Sequence, residues 1–221
     1  MSPADQRAAA MNAEPTQQLD LIVVRHGATP WSVSGRHTSH TDLGLTPAGR
    51  NEAERLRPWL AAWSPVAVWT SPLRRARETA EACGYAGAQV VPELREWDYG
   101  DYEGLTTPEI QHDSPGWSVF VGGGAGSQGE SPEEVAARVD GLIARIRGLG
   151  GRPVLAFAHG HVLRALAARW LGQNIRLGAR LGLDSGSLGL LGRLHGEPSL
   201  LAWNIHPPQA DGRAGDLGRG T

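Results

Sequence analysis

The chain has 221 residues, 40% of them hydrophobic and 20% charged, with 21 basic against 23 acidic residues and a formal net charge of −2. That is enough for one sizeable core and too little for two large domains, and the near-neutral balance gives no global field to attract nucleic acid or an anionic membrane, so any anion site must be local. The single cysteine, Cys83, excludes an internal disulfide and a cysteine-based zinc cluster; no membrane-length apolar run or basic-then-apolar leader is present, so a cytoplasmic location is expected.

Residues 1–18 are rich in Ala, Gln and Pro without periodicity, and 207–221 are Gly-rich and charged; both are expected to be disordered tails around a single domain at 19–206. "LDLIVV" (19–24) reads as a strand buried on both faces. "LTPAGRNEAERLRPWLAAW" (45–63) predicts a helix with Thr46 as N-cap, Pro47 at the first position, and Ala53, Leu56, Leu60 and Trp63 on one face. A second strand is predicted at "VAVWTS" (66–71), a helix at 72–84 opened by Pro72 and closed at Gly84, and a short strand within "AQVVPEL". "SPEEVAARVDGLIARIRGLG" (131–150) places Val135, Val139, Leu142, Ile143 and Ile146 on one side of another helix. "PVLAFA" (153–158) is a third buried strand followed at once by a helix at 159–172, and 187–194 and 199–204 read as paired strands around the turn "HGEP". The alternation predicts a three-layer α/β/α domain with a mostly parallel central sheet, whose chemistry lies beyond the carboxyl ends of the strands.

Three of those ends share a pattern. "VVRHG", "WTSPLRRA" and "FAHGH" each pass from apolar strand into cationic side chains. If the strands are neighbours, Arg25, His26, Arg75 and His159 crowd into one pocket, which is destabilising unless an anion neutralises them. A phosphate is the most economical anion.

At these residues the chain resembles the histidine phosphatase superfamily, also called phosphoglycerate mutase-like. Arg25, His26, Gly27 and Thr29 match its Arg-His-Gly-x-Thr motif. Ser71, Leu73, Arg75, Ala76, Thr79 and Ala80 match its second motif, "ELREWDYGDYEGLT" (93–106) its acid motif, and "AHGH" its later histidine. The resemblance implies the phosphoglycerate mutase-like fold and a phosphohistidine mechanism. In it His26 is the nucleophile, Arg25 and Arg75 hold the phosphoryl oxygens, and His159 stabilises them in the transition state. Three carboxylates, Glu96, Asp98 and Glu103, compete for the general acid, with Asp101 behind them; the resemblance places the acid at Glu96. Gly27 is expected to leave room for the phosphate.

Departures from the pattern narrow the activity. Ser32 and Ser39 stand where mutases of the family carry Asn and Gly, and Trp97 and Asp98 replace a basic pair that grips the mutase substrate. The expectation is a phosphatase of the bacterial acid- and sugar-phosphatase branch, acting on a small phosphomonoester. A phosphomutase and a non-catalytic phosphate-binding module are the alternatives. Arg36, His37, Thr38 and Trp97 are candidates for the substrate's non-phosphate part, with Ser32 and Gly160 as further substrate contacts. The segment 112–131, glycine-rich with exposed-looking Trp117, Val119 and Phe120, suits a cover over the pocket mouth or a plain surface loop. His161, one residue beyond His159, raises a His-x-His metal site, but its carboxylate or cysteine partners are missing and Arg25 and Arg75 would repel a cation. No metal and no cofactor are expected. His40, His112, His195 and His206 carry no assigned role, no nucleic-acid or membrane partner is expected, and the reading allows a homodimer.

Overall fold

The computed structural model describes residues 17–150 and 153–207. In chain order its elements are β1 (Gln17–Arg25), α1 (Pro30–Val33), α2 (Pro47–Leu60), β2 (Ala67–Thr70), α3 (Arg74–Ala82), β3 (Gln89–Val90), a 3-10 turn (Pro92–Leu94), α4 (Thr107–Asp113), α5 (Val119–Gly122), α6 (Pro132–Leu149), β4 (Val154–Ala158), α7 (Gly160–Trp170), a 3-10 segment (Ile175–Arg180), β5 (Leu188–Leu194) and β6 (Glu197–Ile205). The strands form one sheet in the order β3-β2-β4-β1-β5-β6. β3, β2, β4 and β1 run parallel, and β5 and β6 are antiparallel additions at one side.

The sheet separates two apolar layers, as the period of a strand requires. Leu21 and Val23 of β1 and Val154, Ala156 and Ala158 of β4 pack on one face with Val135, Val139, Leu142, Ile143 and Ile146 of α6 and the apolar residues of α7. Ile22, Val24, Leu155 and Phe157 point to the opposite face, against Ala53, Leu56 and Leu60 of α2 and Ala80 of α3. Leu21 to Val24 are all fully buried, each such side chain contributing about 1.5–3 kcal/mol. This is the three-layer α/β/α arrangement that the sequence predicts.

Several boundaries differ for local reasons. Gln17 and Gln18, assigned to the N-terminal tail, extend β1 by pairing with Leu194 and Arg193 of β5; residues 1–16 and 208–221 of the predicted tails lie outside the described residues. α2 stops at Leu60 rather than reaching Trp63, with Ala61 as its C-cap; it runs through Pro58, which leaves the Glu54 carbonyl without its helical donor. Trp63 is therefore 39% exposed, off the core face. α3 opens at Arg74, two residues after Pro72, with Leu73 in extended geometry as its N-cap. The hairpin turn between β5 and β6 is His195-Gly196, both at positive φ, a two-residue turn whose twist suits antiparallel strands.

The parallel register brings the site together. Arg25 at the end of β1 sits opposite Ala158 of β4, and Thr70 of β2 opposite Phe157. The residues just beyond three adjacent strands must share one edge of the sheet. β1 continues into a crossing with α2 that only glycine permits: a Cβ on Gly27 would collide with the Gly49 carbonyl oxygen, and a Cβ on Gly49 with that of Ala28. Gly27 is thus required for backbone packing against α2.

Gly27→Ala and Gly49→Ala should each lower stability by about 2 kcal/mol or more in urea denaturation, since the opposing atoms are backbone and cannot move aside. Gly141, inside α6 with open space where its Cβ would stand, should behave oppositely, Gly141→Ala raising stability by about 1 kcal/mol.

Candidate active site

A pocket of about 170 Å³ opens where β1, β4 and α7 end or begin, lined among others by Arg25, His26, Thr29, Ser32, Thr38, Glu96 and Gly160. His26 forms its floor and is 5% exposed. Its Nδ1 lies 2.8 Å from the Gly27 carbonyl oxygen; a carbonyl only accepts, so Nδ1 carries the hydrogen and, in the neutral ring, the lone pair belongs to Nε2. Burial, then the charges of Arg75 and Arg25, push His26 well below the ordinary histidine range, so the ring is neutral near pH 7.

Arg25 lies across the start of α7, where Gly160 lets it approach: a Cβ there would stand 3.3 Å from the guanidinium carbon. One Nη donates to the Leu183 carbonyl, while the buried Nε has no partner among the described residues. Burial pulls Arg25 below the usual arginine value, with Glu96 the largest opposing influence. An unpartnered N–H on a buried guanidinium beside a helix N-terminus is an anion-binding feature.

Arg75 and His159 stand behind this floor. Arg75 is 1% and His159 0% exposed, and the two imidazoles, His26 and His159, are 5.2 Å apart between centroids. Arg75 donates Nε–H to Nδ1 of His159 at 3.0 Å, so the hydrogen of His159 is on Nε2, which lies 2.7 Å from Ser71 Oγ. The other guanidinium nitrogens contact the carbonyls of Thr38, Ser39 and Thr41, which leaves one N–H of the five uncommitted. Burial, then Arg75, holds His159 well below the ordinary range as well. These two residues lie beside His26, where the strand ends place them, but do not line the pocket itself and are tied to the protein more fully than the sequence indicates.

The three carboxylates that competed for the acid role take separate places. Glu96 lines the pocket, and its oxygens accept from the backbone N–H groups of Trp97, His161 and Val162, the last two in the first turn of α7. Glu103 accepts from Ser39 N, Ser39 Oγ and Thr41 N, fixing the segment whose carbonyls hold Arg75. Asp98 accepts from Gly100 N in its own turn. A fourth carboxylate, Glu130, binds Arg95 and Arg138 and accepts from Asp98 N, which clamps the segment carrying Glu96.

Among the expected substrate contacts, Thr38 and Gly160 line the pocket, as does Ser32, whose hydroxyl is engaged in the N-cap box of α1 with Thr29. Trp97 is a correction. It is fully buried, donates Nε1–H to the Glu130 carbonyl and packs edge-on against Phe120, because successive residues of an extended segment face opposite ways and Glu96 takes the pocket side. Val119 and Phe120 are core residues, and Trp117 packs on His37 and Tyr102, so 112–131 is folded onto the domain. Tyr99, His161 and Arg164, which line the pocket together with Arg36 and His37, were missed as pocket residues from the sequence; Tyr99 lies three residues beyond Glu96, and His161 and Arg164 open the helix that follows "AHG". No cluster suited to a metal ion occurs among the described residues.

The model of the histidine phosphatase superfamily (branch 1) matches residues 21–206. An acid phosphatase of Mycobacterium tuberculosis is 38% identical over 193 residues, covering 85% of this chain and 94% of that protein. A glucosyl-3-phosphoglycerate phosphatase of the same species is 35% identical, covering 68% and 74%. Among solved structures, an open reading frame of M. tuberculosis superposes with a TM-score of 0.81 at 38% identity, covering 85% and 97%. A mycobacterial glucosyl-3-phosphoglycerate phosphatase complexed with VO3 gives 0.72 at 31%, covering 84% and 98%.

Arg75→Lys tests the anchoring geometry. An ammonium keeps the charge but cannot reach three carbonyls and an imidazole at once, so stability should fall by about 2 kcal/mol and affinity for phosphate or vanadate by at least about 10-fold. A variant with unchanged phosphate affinity would show that Arg75 serves the scaffold alone.

Proposed function

The chain belongs to branch 1 of the histidine phosphatase superfamily, a family of phosphoric monoester hydrolases among its relatives here, and on that premise we propose that His26, Arg25, Arg75, Glu96 and His159 hydrolyse a small phosphomonoester, a sugar phosphate in the first instance, through a phosphohistidine and without a metal. The observation that carries this reading is the hydrogen bond from His26 Nδ1 to the Gly27 carbonyl, which leaves the lone pair on Nε2 of a pocket-lining ring that the charges of Arg75 and Arg25 help to keep neutral.

Nε2 attacks phosphorus in line, forming the N–P bond as the ester P–O bond breaks. The free N–H groups of Arg25, and the remaining one of Arg75, take up phosphoryl oxygens. His159 joins them by turning its Nε2–H from Ser71 Oγ to an oxygen on which charge gathers. Glu96, in its protonated form, gives its hydrogen to the departing alkoxide. Its carboxylate then takes a hydrogen from the water that attacks phosphorus, breaking the N–P bond and returning phosphate and neutral His26. Water reaches that intermediate through the mouth at Gly35, Arg36 and Thr107, which favours hydrolysis over mutase transfer. The reading places the enzyme in the cytoplasm, with a small molecule as partner and no nucleic acid or membrane.

His26→Ala should abolish p-nitrophenyl phosphate hydrolysis and the acid-labile, base-stable phosphoenzyme trapped on rapid quenching, and a chelator should leave the parent enzyme unaffected. Substantial turnover by the variant would sink the assignment.

Because burial and two arginines lower the folded pKa of His26, the free base persists as pH falls through the ordinary histidine value. The acid limb of kcat/KM should therefore lie below about pH 6.5. A limb centred at or above that value would mean an ordinary, solvated imidazole.

Glu96→Gln should slow hydrolysis of alkyl phosphates by about 10²-fold to 10⁴-fold and of p-nitrophenyl phosphate much less, because p-nitrophenolate hardly needs the proton. The same signature in Asp98→Asn and not in Glu96→Gln would move the acid to Asp98.

A further inference from the structure

Two imidazoles of the pocket take no part in the phosphoryl chemistry. His37 lies beyond the end of α1, and His161 is the second residue of α7; their rings are stacked, 14° from parallel with centroids 5.7 Å apart, and both line the cavity. Their Nδ1 atoms have partners of different kinds, a carbonyl oxygen and a phenol hydroxyl. His37 Nδ1 lies 2.9 Å from the Leu105 carbonyl oxygen, which only accepts, so His37 carries its hydrogen on Nδ1. His161 Nδ1 lies 2.6 Å from the hydroxyl of Tyr99, a side chain 2% exposed, for whose hydrogen Nδ1 is the one protein acceptor among the described residues. With the hydroxyl donating to that acceptor, Nδ1 accepts and His161 carries its hydrogen on Nε2. Burial is the main influence lowering both histidines, helped at His161 by Arg164 and opposed at His37 by the Leu105 carbonyl, so both are neutral near pH 7. Neither Nε2 has a protein partner among the described residues. One offers a lone pair and the other an N–H, side by side.

We propose that this pair recognises an alcohol group of the substrate, which accepts from His161 Nε2–H and donates to His37 Nε2, and so selects phosphorylated polyols and sugars over phosphorylated acids and alkyl phosphates. The inference rests on the phosphatase reading above and names its substrate class. A hydroxyl is the small group with both a donor and an acceptor. A carboxylate or second phosphate has acceptors only and meets the lone pair of His37; a methyl group leaves both nitrogens unpaired in a partly dry pocket.

The test is binding to the His26→Ala chain, which needs no turnover, measured calorimetrically for glycerol 3-phosphate, propyl phosphate and 3-phosphooxypropanoate. Glycerol 3-phosphate should bind about 10-fold to 100-fold more tightly than either of the others, and the ratio should collapse toward one on adding His37→Phe or His161→Phe. Imidazole 15N shifts of the unsubstituted protein, which no folding defect can obscure, should show Nδ1–H for His37 and Nε2–H for His161. A ratio near one, equal or tighter binding of the acid, or the same tautomer at both positions would overturn the proposal. If the ratio holds while the parent chain fails to hydrolyse p-nitrophenyl phosphate, the phosphatase reading falls alone; if hydrolysis holds and the ratio is one, the alcohol reading falls alone.

Discussion

Parallel strands that end side by side must bring their next residues together, and in this chain those residues are cationic. The register of β2, β4 and β1 places Ser71 and Arg75, His159, and Arg25 and His26 at one edge of the sheet. Four such cation-capable side chains under little solvent would repel one another if all were charged. The structure answers with two arrangements. Both histidines nearest the floor are kept neutral by burial and by the neighbouring arginines, and the guanidiniums are spread over backbone carbonyls and an imidazole nitrogen. The result is a positive field already fixed in place, beside an imidazole, His26, that the same field keeps unprotonated.

Carboxylates around the site divide the work of holding it. Glu103 fixes the segment that carries the Arg75 acceptors, Glu130 with Arg95 and Arg138 fixes the segment that carries Glu96, and Glu96 itself docks onto the first turn of α7. Positive helix-terminal N–H groups and negative carboxylate thus meet where the substrate must enter. Rigidity of this kind matters because in-line attack tolerates little misplacement of the nucleophile or the acid. The rest of the pocket lining mixes two charged groups, Arg36 and Arg164, with the neutral imidazoles of His37 and His161.

The alternation of β-branched runs with capped, amphipathic stretches determined the α/β/α layering, and the apolar-to-cationic step at three strand ends determined that Arg25, Arg75, His26 and His159 would meet. Both come from local chemistry: strand and helix periods, and the rule that a parallel sheet opens at its carboxyl edge. Which face a residue takes in irregular backbone was not available locally. Trp97 and Glu96 are adjacent in sequence, yet one is core and the other pocket. Trp117, Val119 and Phe120 looked exposed in a glycine-rich run and are covered by the folded domain. Gly27 carried a motif's glycine, but its reason for being glycine is the Gly49 carbonyl, 22 positions along the chain and visible only once α2 crosses β1. The same holds for the tautomers of His26 and His37: each is set by one carbonyl acceptor, from the neighbouring residue or from another loop. The sequence therefore determined which chemical groups meet at the carboxyl edge of the sheet, and tertiary packing decided which of them line the pocket.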